Sequence, residues 1–83
     1  MEKEYVPVML YVKGGAVTPR HFWLKALGEW VKILEVTERR RRASLAVGAV
    51  GIRYTCVVWY NESKREIYLF DEGDNNWFIE SGE

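Results

Sequence analysis

The stretch from Ile52 to Tyr60 constrains the fold of this chain most, because it alternates without interruption. One face carries only apolar or aromatic side chains and the thiol of Cys56, while the other face is mixed. Such a period of two is typical of a β-strand, and the β-branched and aromatic residues favour the same structure. Asn61–Lys64 then has turn composition, and Arg65–Phe70 alternates again. The sequence therefore predicts an antiparallel hairpin over residues 52–70.

Two further strands are predicted at the ends of the chain. Tyr5–Lys13 alternates, with three valines and a leucine on one face and Pro7 on the other. Because proline cannot donate a hydrogen bond to a neighbouring strand, Pro7 indicates a sheet edge or the start of a strand. Near the C-terminus, Asp71–Asn76 has turn composition and precedes a short predicted strand, Trp77–Glu80.

Residues 18–36 fit two structures. Thr18-Pro19 is typical of a helix start, and the apolar residues that follow match a helical stripe. The same segment fits a hairpin of strands Arg20–Ala26 and Trp30–Glu38, joined around Gly28. Glycine suits a turn, whereas inside a helix it costs about 1 kcal/mol. The pattern alone leaves both alternatives open.

The expected fold is all-β, a small SH3-like barrel or half-barrel of five to six antiparallel strands. The alternative is an α+β fold with one helix at residues 18–34. A chain of 83 residues predicts a single domain over residues 1–83, with no room for a second core. Its hydrophobic content of 48% and aromatic content of 14% supply the dense core that such a small domain needs.

Cysteine usage and hydropathy narrow the class of protein. Cys56 is the only cysteine, so neither an internal disulfide nor a cysteine-based zinc site is expected. The longest apolar run, Val6–Val12, is too short to span a bilayer or to act as a signal sequence. We therefore expect a cytoplasmic protein with no membrane partner and no cofactor.

Positive charge is concentrated before residue 60 in a chain whose net charge is zero. Residues 1–60 carry ten Lys/Arg and five Asp/Glu, whereas residues 61–83 carry two and seven. Within the basic part, Arg39–Arg42 offers four guanidinium groups that could neutralise the phosphates of a nucleic acid. In a strand they would alternate, two to each face. The alternative interpretation is a solvated strand end or loop, paired with the acidic turn at Asp71–Asp74.

Aromatic rings form the second candidate feature, because exposed rings on a small barrel can stack on bases. Trp59 shares the more polar face of its strand with Arg53 and is the best candidate for an exposed ring, with core or dimer packing as the alternative. The candidate binding residues are Arg39, Arg40, Arg41, Arg42, Arg53 and Trp59.

The sequence thus favours a non-catalytic module that contacts nucleic acid through a basic and aromatic patch. The alternative is a protein–protein or self-association module, such as a homodimer. It is indicated by the apolar first strand with Pro7 at its edge and by the large number of rings.

No motif predicts catalysis or a metal site. Gly48–Gly51 spells GxxG but leads into a strand rather than a helix. Asp71–Asn76 lacks the spacing of glycine and glutamate that a calcium loop of the EF-hand type requires. Cys56 lies on an apolar strand face, and His21 has no orienting carboxylate near it in sequence, so no nucleophile–base pair is expected.

Seven short stretches spread over most of the chain form an ordered pattern: Val6-Pro7-Val8, Pro19 with Phe22-Trp23, Gly28 followed by Trp30, Arg42-Ala43-Ser44-Leu45, Gly51-Ile52-Arg53-Tyr54-Thr55-Cys56, Ile67-Tyr68-Leu69-Phe70 and Trp77-Phe78-Ile79-Glu80. In this order they resemble a family of short, uncharacterised bacterial proteins. More distantly, they resemble a domain of unknown function appended to some Y-family polymerase-like proteins. The resemblance implies an all-β fold, hence a hairpin at residues 18–36, and implies no activity and no site residues.

Overall fold

The computed structural model describes residues 3–43, 50–73 and 75–80. Its strands, in chain order, are β1 Lys3–Tyr5, β2 Val8–Lys13, β3 Ala16–Leu24, β4 Glu29–Ala43, β5 Val50–Tyr60, β6 Ser63–Asp71 and β7 Trp77–Glu80. They form one antiparallel sheet in the order β1-β7-β6-β5-β4-β3-β2. These ranges contain no helix, and therefore none that could cross a membrane. The all-β prediction is confirmed.

The sheet is curled into a half-barrel, and its two edge strands follow each other in the chain. β1 pairs with β7 at one edge, and β2 pairs with β3 at the other. Between them, the amide of Val6 donates to the carbonyl of Trp77 and the amide of Trp23 donates to the carbonyl of Pro7, both at 2.9 Å. The chain thus crosses from one edge of the sheet to the other at Val6–Pro7, where Pro7 needs no amide donor.

This crossing explains why the described residues contain seven strands where five to six were predicted. The predicted first strand, Tyr5–Lys13, does not lie along a single neighbour. Its first part belongs to β1 and its second part to β2, at opposite edges of the sheet. Alternation in sequence reports that a segment is extended, but it carries no information about which strand lies beside it.

Residues 18–34 form a hairpin, so the alternative with a helix is wrong. β3 and β4 pair from His21 opposite Lys32 to Leu24 opposite Glu29. In the turn, Gly28 has a φ of +66° and donates its amide to the carbonyl of Leu24 at 2.9 Å. Glycine adopts this left-handed conformation at little cost, whereas other residues are strained by it.

β4 bends around the half-barrel with the help of two bulges. Its register against β5 shifts between Ile33 and Glu35 and again between Val36 and Glu38. Each bulge inserts one extra residue, Leu34 or Thr37, and reverses the alternation of side chains. Two reversals cancel, so the residues after the second bulge resume the original alternation.

The core lies on the concave face of the sheet. The central hairpin β5–β6 contributes alternate residues to it, as its sequence pattern required, and the edge crossing contributes Val6. Tyr54 and Trp77 meet there with ring centroids 5.3 Å apart. The buried core residues are Val6, Phe22, Val31, Ile33, Tyr54, Cys56, Val58, Leu69 and Trp77.

Two phenylalanines are buried on the opposite, convex face. Phe70 follows the core residue Leu69 in β6, so alternation turns it away from the core. It lies opposite Phe78 of β7, and the two rings stack with centroids 5.0 Å apart. Both rings are fully buried. β6 and β7 therefore bury apolar side chains on both faces, which adds apolar burial beyond the core cluster.

The thiol of Cys56 should resist chemical modification while the chain is folded. Cys56 is fully buried, and this burial raises its pKa from 9.0 to about 12. Because the thiolate is the reactive form, labelling by a disulfide reagent at pH 8 should proceed only as fast as the chain unfolds. The comparison is with the same chain in denaturant, where labelling should be complete within the mixing time. Equal rates in the two conditions would contradict a buried thiol.

The same pKa shift predicts how stability depends on pH. The folded thiol holds its proton up to about pH 12, whereas the unfolded thiol loses it near pH 9. Above pH 9 the folded state therefore binds more protons than the unfolded state. The contribution of this group to the free energy of unfolding is fully present below pH 9 and decreases as the pH rises towards 12.

Candidate binding surface

The four consecutive arginines lie in β4, and the three whose side chains are described are divided between the two faces of the sheet. Arg39 is opposite Tyr54 and Arg41 is opposite Ile52, both on the core side of β5. Arg40 is opposite Arg53 on the convex side. Arg42 lies opposite Gly51, and its side chain is outside the described part of the structure.

Arg39 and Arg40 each have a partner close by. The Nε of Arg39 donates to the hydroxyl of Tyr54 at 3.2 Å, and this bond, with a smaller contribution from Asp71, raises the pKa of Arg39. The Nε of Arg40 lies 2.8 Å from a carboxylate oxygen of Glu38. The predicted pairing of the basic run with an acidic turn is thus seen only as the influence of Asp71 on Arg39, since Asp74 lies outside the described residues.

Arg53 is partly withdrawn from solvent. It is half-buried, and its guanidinium lies 4.3 Å from the centroid of the Tyr68 ring. Its Nε is buried with no hydrogen-bond partner among the described residues. The positive charge of the guanidinium is attracted to the face of the Tyr68 ring. This attraction also offsets the repulsion expected where Arg53 and Arg40 lie opposite each other on adjacent strands.

Trp59 and Arg53 share the convex face, as alternation predicted, but they lie near opposite ends of β5. Six residues of strand separate them by about 20 Å. The arginines are further divided between the two faces of β4. The six predicted binding residues therefore do not form one patch, and their role in binding stays a prediction.

A different set of residues surrounds Trp59. Four large apolar side chains, each between 42 and 54% exposed, line a single groove of about 650 Å³ on the convex face, and we call it the tryptophan groove: Leu27, Trp30, Leu34 and Trp59. Large apolar side chains scattered singly over a surface are normal, whereas several in one concavity indicate an interaction site.

The hairpin β3–β4 provides three of these side chains. Trp30 lies opposite Trp23, and the two rings meet edge to face with centroids 5.5 Å apart, which fixes the orientation of Trp30. Leu34 is the extra residue of the first bulge, and Leu27 lies in the turn before β4. Alternation from the buried Val31 sets the face of Trp30, whereas Leu27 lies in a turn and Leu34 at a bulge.

The hairpin β5–β6 provides the fourth apolar side chain of the tryptophan groove, that of Trp59. Trp59 follows the buried Val58, so it points away from the core at the end of β5. The connecting turn, Asn61 and Glu62, has positive φ angles of 55° and 62°. Two consecutive residues of this kind form a tight turn of type I′, which matches the twist of the strands and lets β6 return directly beside Trp59.

Two lysines flank Trp59. Lys64 lies directly opposite it on β6, and Lys32 of β4 lines the same groove on the other side. Both lysines are exposed. The groove also includes the carboxylates of Glu29 and Glu62, so its total charge is close to neutral. An aromatic surface with a cation on each side of one ring is the chemical feature that distinguishes this groove.

Most residues of the groove were not selected from the sequence. Trp30 is visible there as one of several aromatic residues, and nothing in its spacing places it near Trp59. Leu34 fits equally well into a helical stripe or a strand interior. A signal does exist in hindsight: two tryptophans, Trp23 and Trp30, placed symmetrically around a turn with Gly28 are expected to pair across a hairpin.

Comparison with known proteins finds no relative of this chain. No family model matches the chain, and no curated protein or solved structure matches it significantly. Among the described residues, no group of three His, Cys, Asp or Glu side chains is arranged to hold a metal ion. The tryptophan groove is therefore the feature of this structure that indicates a function.

Proposed function

We propose that this protein is a non-catalytic binding module that holds single-stranded nucleic acid in the tryptophan groove. One observation carries the proposal: Trp30 and Trp59 are exposed in the same groove, and a lysine lies on each side of Trp59. Bases can stack on exposed rings whatever their identity, while ammonium groups follow the phosphates of the strand.

A single strand fits this surface better than a duplex does. The faces of paired bases are hidden inside a duplex, whereas an unpaired strand offers them for stacking. Duplex binding depends mainly on many phosphate contacts. The arginines that could have supplied these contacts are divided between the two faces of β4. Stacking is therefore the main contribution that this surface can make.

The proposal predicts a loss of affinity when either ring is removed. Stacking contributes about 1–3 kcal/mol per base, so Trp59→Ala or Trp30→Ala should weaken binding by roughly 5-fold to 150-fold. The measurement is fluorescence anisotropy of a labelled oligothymidine at low salt. Tyr11→Ala is the matched control, because Tyr11 is an exposed ring beside a cation, Arg20, outside the groove. Its affinity should equal that of the parent chain.

The salt dependence of the affinity distinguishes binding in the tryptophan groove from binding to Arg39–Arg42. Two lysines that contact the phosphates of a single-stranded nucleic acid give a slope of log affinity against log salt between about −1 and −2. Lys32→Ala and Lys64→Ala should each make the slope shallower by about 0.7, while Arg40→Ala should leave it unchanged. A slope near −3 that becomes shallower in Arg40→Ala would assign binding to the arginines. Absence of binding at low salt would reject nucleic acid as the ligand.

A protein partner is the second candidate for the same groove. The observation that favours it is the lining, in which Leu27 and Leu34 are apolar and Glu29 and Glu62 repel phosphates. A short peptide with an aromatic or aliphatic anchor is the corresponding probe. Quenching of tryptophan fluorescence by such a peptide, lost in Trp59→Ala and accompanied by no oligonucleotide binding, would replace the first candidate with this one.

A further inference from the structure

β2 is an edge strand whose outer side has no partner in the described part of the chain. Its only neighbour in the sheet order is β3, and the sheet ends there. An edge of this kind presents a row of backbone amides and carbonyls that can pair with another extended segment. The backbone therefore defines the chemistry of a partner, which must supply a strand.

The side chains of β2 favour such pairing. Met9, Tyr11 and Val12 are between 45 and 63% exposed, and the one charge in the strand is Lys13 at its end. Edge strands that must stay unpaired carry internal charges, prolines or bulges. Here Pro7 precedes the strand, and the bulge beside it places its extra residue, Arg20, in β3 rather than in β2.

We infer that two copies of this chain associate by pairing their β2 strands antiparallel about a two-fold axis. A second copy supplies a strand of the same length and the same apolar side chains, and the two-fold axis makes the contact close on itself. The dimer joins the two sheets into one continuous sheet. The contact uses β2 alone and is independent of the tryptophan groove.

The pleat of the strand restricts the register. Residues that lie opposite each other must point to the same face of the sheet, so the axis passes through a residue and not between two residues. With the axis at Leu10, Met9 lies opposite Tyr11 of the second copy, and Val8 lies opposite Val12. This register places Lys13 outside the segment Val8–Val12 that pairs, so no two like charges face each other.

Light scattering across a concentration series tests the association. The parent chain should reach twice the mass of one chain, and Val12→Lys should weaken the dimer at least tenfold, because the new ammonium group lies in the paired segment. Leu27→Lys is the matched control: it also exchanges an exposed apolar residue for lysine, but in the tryptophan groove, so it should remain a dimer. A parent chain that stays monomeric at millimolar concentration, or a Val12→Lys variant that dimerises equally well, overturns the inference.

Cysteine pairs test the register. Met9→Cys and Tyr11→Cys chains, mixed and oxidised, should form the mixed disulfide in preference to either symmetric one. Opposite residues on antiparallel strands lie about 4.5–5.5 Å apart at Cα, which a disulfide can span. The native Cys56 does not interfere because it is buried. A symmetric Tyr11→Cys disulfide as the main product would contradict an axis at Leu10, and a mass that grows without limit would contradict two-fold closure.

Discussion

Phe70→Ala is expected to lower the free energy of unfolding by about 3–5 kcal/mol, the largest effect of any single truncation proposed here. The side chain is fully buried and stacks on Phe78 with centroids 5.0 Å apart. Alanine leaves a cavity between β6 and β7, and both strands are fixed by hydrogen bonds on two sides, so the site cannot collapse. For a chain of this length the total stability is roughly 4–12 kcal/mol. If the parent chain lies at the lower end of this range, the variant should be half unfolded or more at 25 °C; at the upper end it stays folded but unfolds at a much lower denaturant concentration.

Chemical denaturation followed by far-UV circular dichroism measures this loss. Trp59→Ala is the control, because it removes a larger ring that is 54% exposed. It should cost no more than about 1 kcal/mol, in keeping with a side chain that is mainly on the surface. If the two variants lost equal stability, the convex layer of Phe70 and Phe78 would not be a second buried cluster. The same control shows that Trp59→Ala is folded when its binding is measured.

Gly51→Ala is expected to cost about 3 kcal/mol, although it adds only one methyl group. A Cβ at residue 51 would overlap the backbone carbonyl oxygen of Asp71 and lie 2.7 Å from Cε1 of Phe70. The ring could rotate, but the carbonyl belongs to β6, which is paired with β5 from Ile52 onwards. The methyl group can be accommodated only by separating the two central strands at this end.

Thermal unfolding measures the effect, with an expected fall in Tm of roughly 12–24 °C. Gly15→Ala is the matched control, since no atom lies within 4 Å of its added Cβ and its φ is +82°. The positive φ alone costs about 1–2 kcal/mol. Gly51→Ala should therefore be the more harmful of the two, and a smaller loss at Gly51 than at Gly15 would contradict close packing of β5 against β6.

The second half of the chain was largely predictable from its sequence. The alternation of β5, the turn after Tyr60 and the return of β6 require only local information: the period of apolar residues and the residue types that favour turns. Both faces of this hairpin carry apolar residues, and both are buried in part, one in the core and the other around Phe70. Local pattern succeeded here because the strands β5 and β6 pair in an unbroken register.

The first half was less predictable because its local signals conflict. Residues 18–34 satisfy a helical stripe and a hairpin equally well, and the hairpin prevails because β4 can pair with β5 on its other side. The bulges at Leu34 and Thr37 are likewise set by the partner strand. They determine that Val36 packs against the core while Glu35 lies on the convex side, a result that counting alternate residues from Ile33 cannot give.

The candidate site, like the fold, was predictable from the sequence only in part. Alternation predicted that Trp59 and Arg53 share a face, and they do. It could not predict that they lie near opposite ends of β5, nor that Arg39 would donate to Tyr54 while Arg40 pairs with Glu38. The tryptophan groove joins residues from two hairpins, so it exists only once both hairpins are packed side by side.

By itself, then, the sequence determined the extended backbone, the central hairpin and which side chains of each regular strand share a face. These depend on side-chain periodicity and turn chemistry, which act over a few residues. The tertiary structure alone decided the crossing at Val6–Pro7, the bulges of β4, the free edge of β2 and the assembly of the tryptophan groove. These features depend on which strand lies beside which, and that is fixed by burial of the whole sheet around one core.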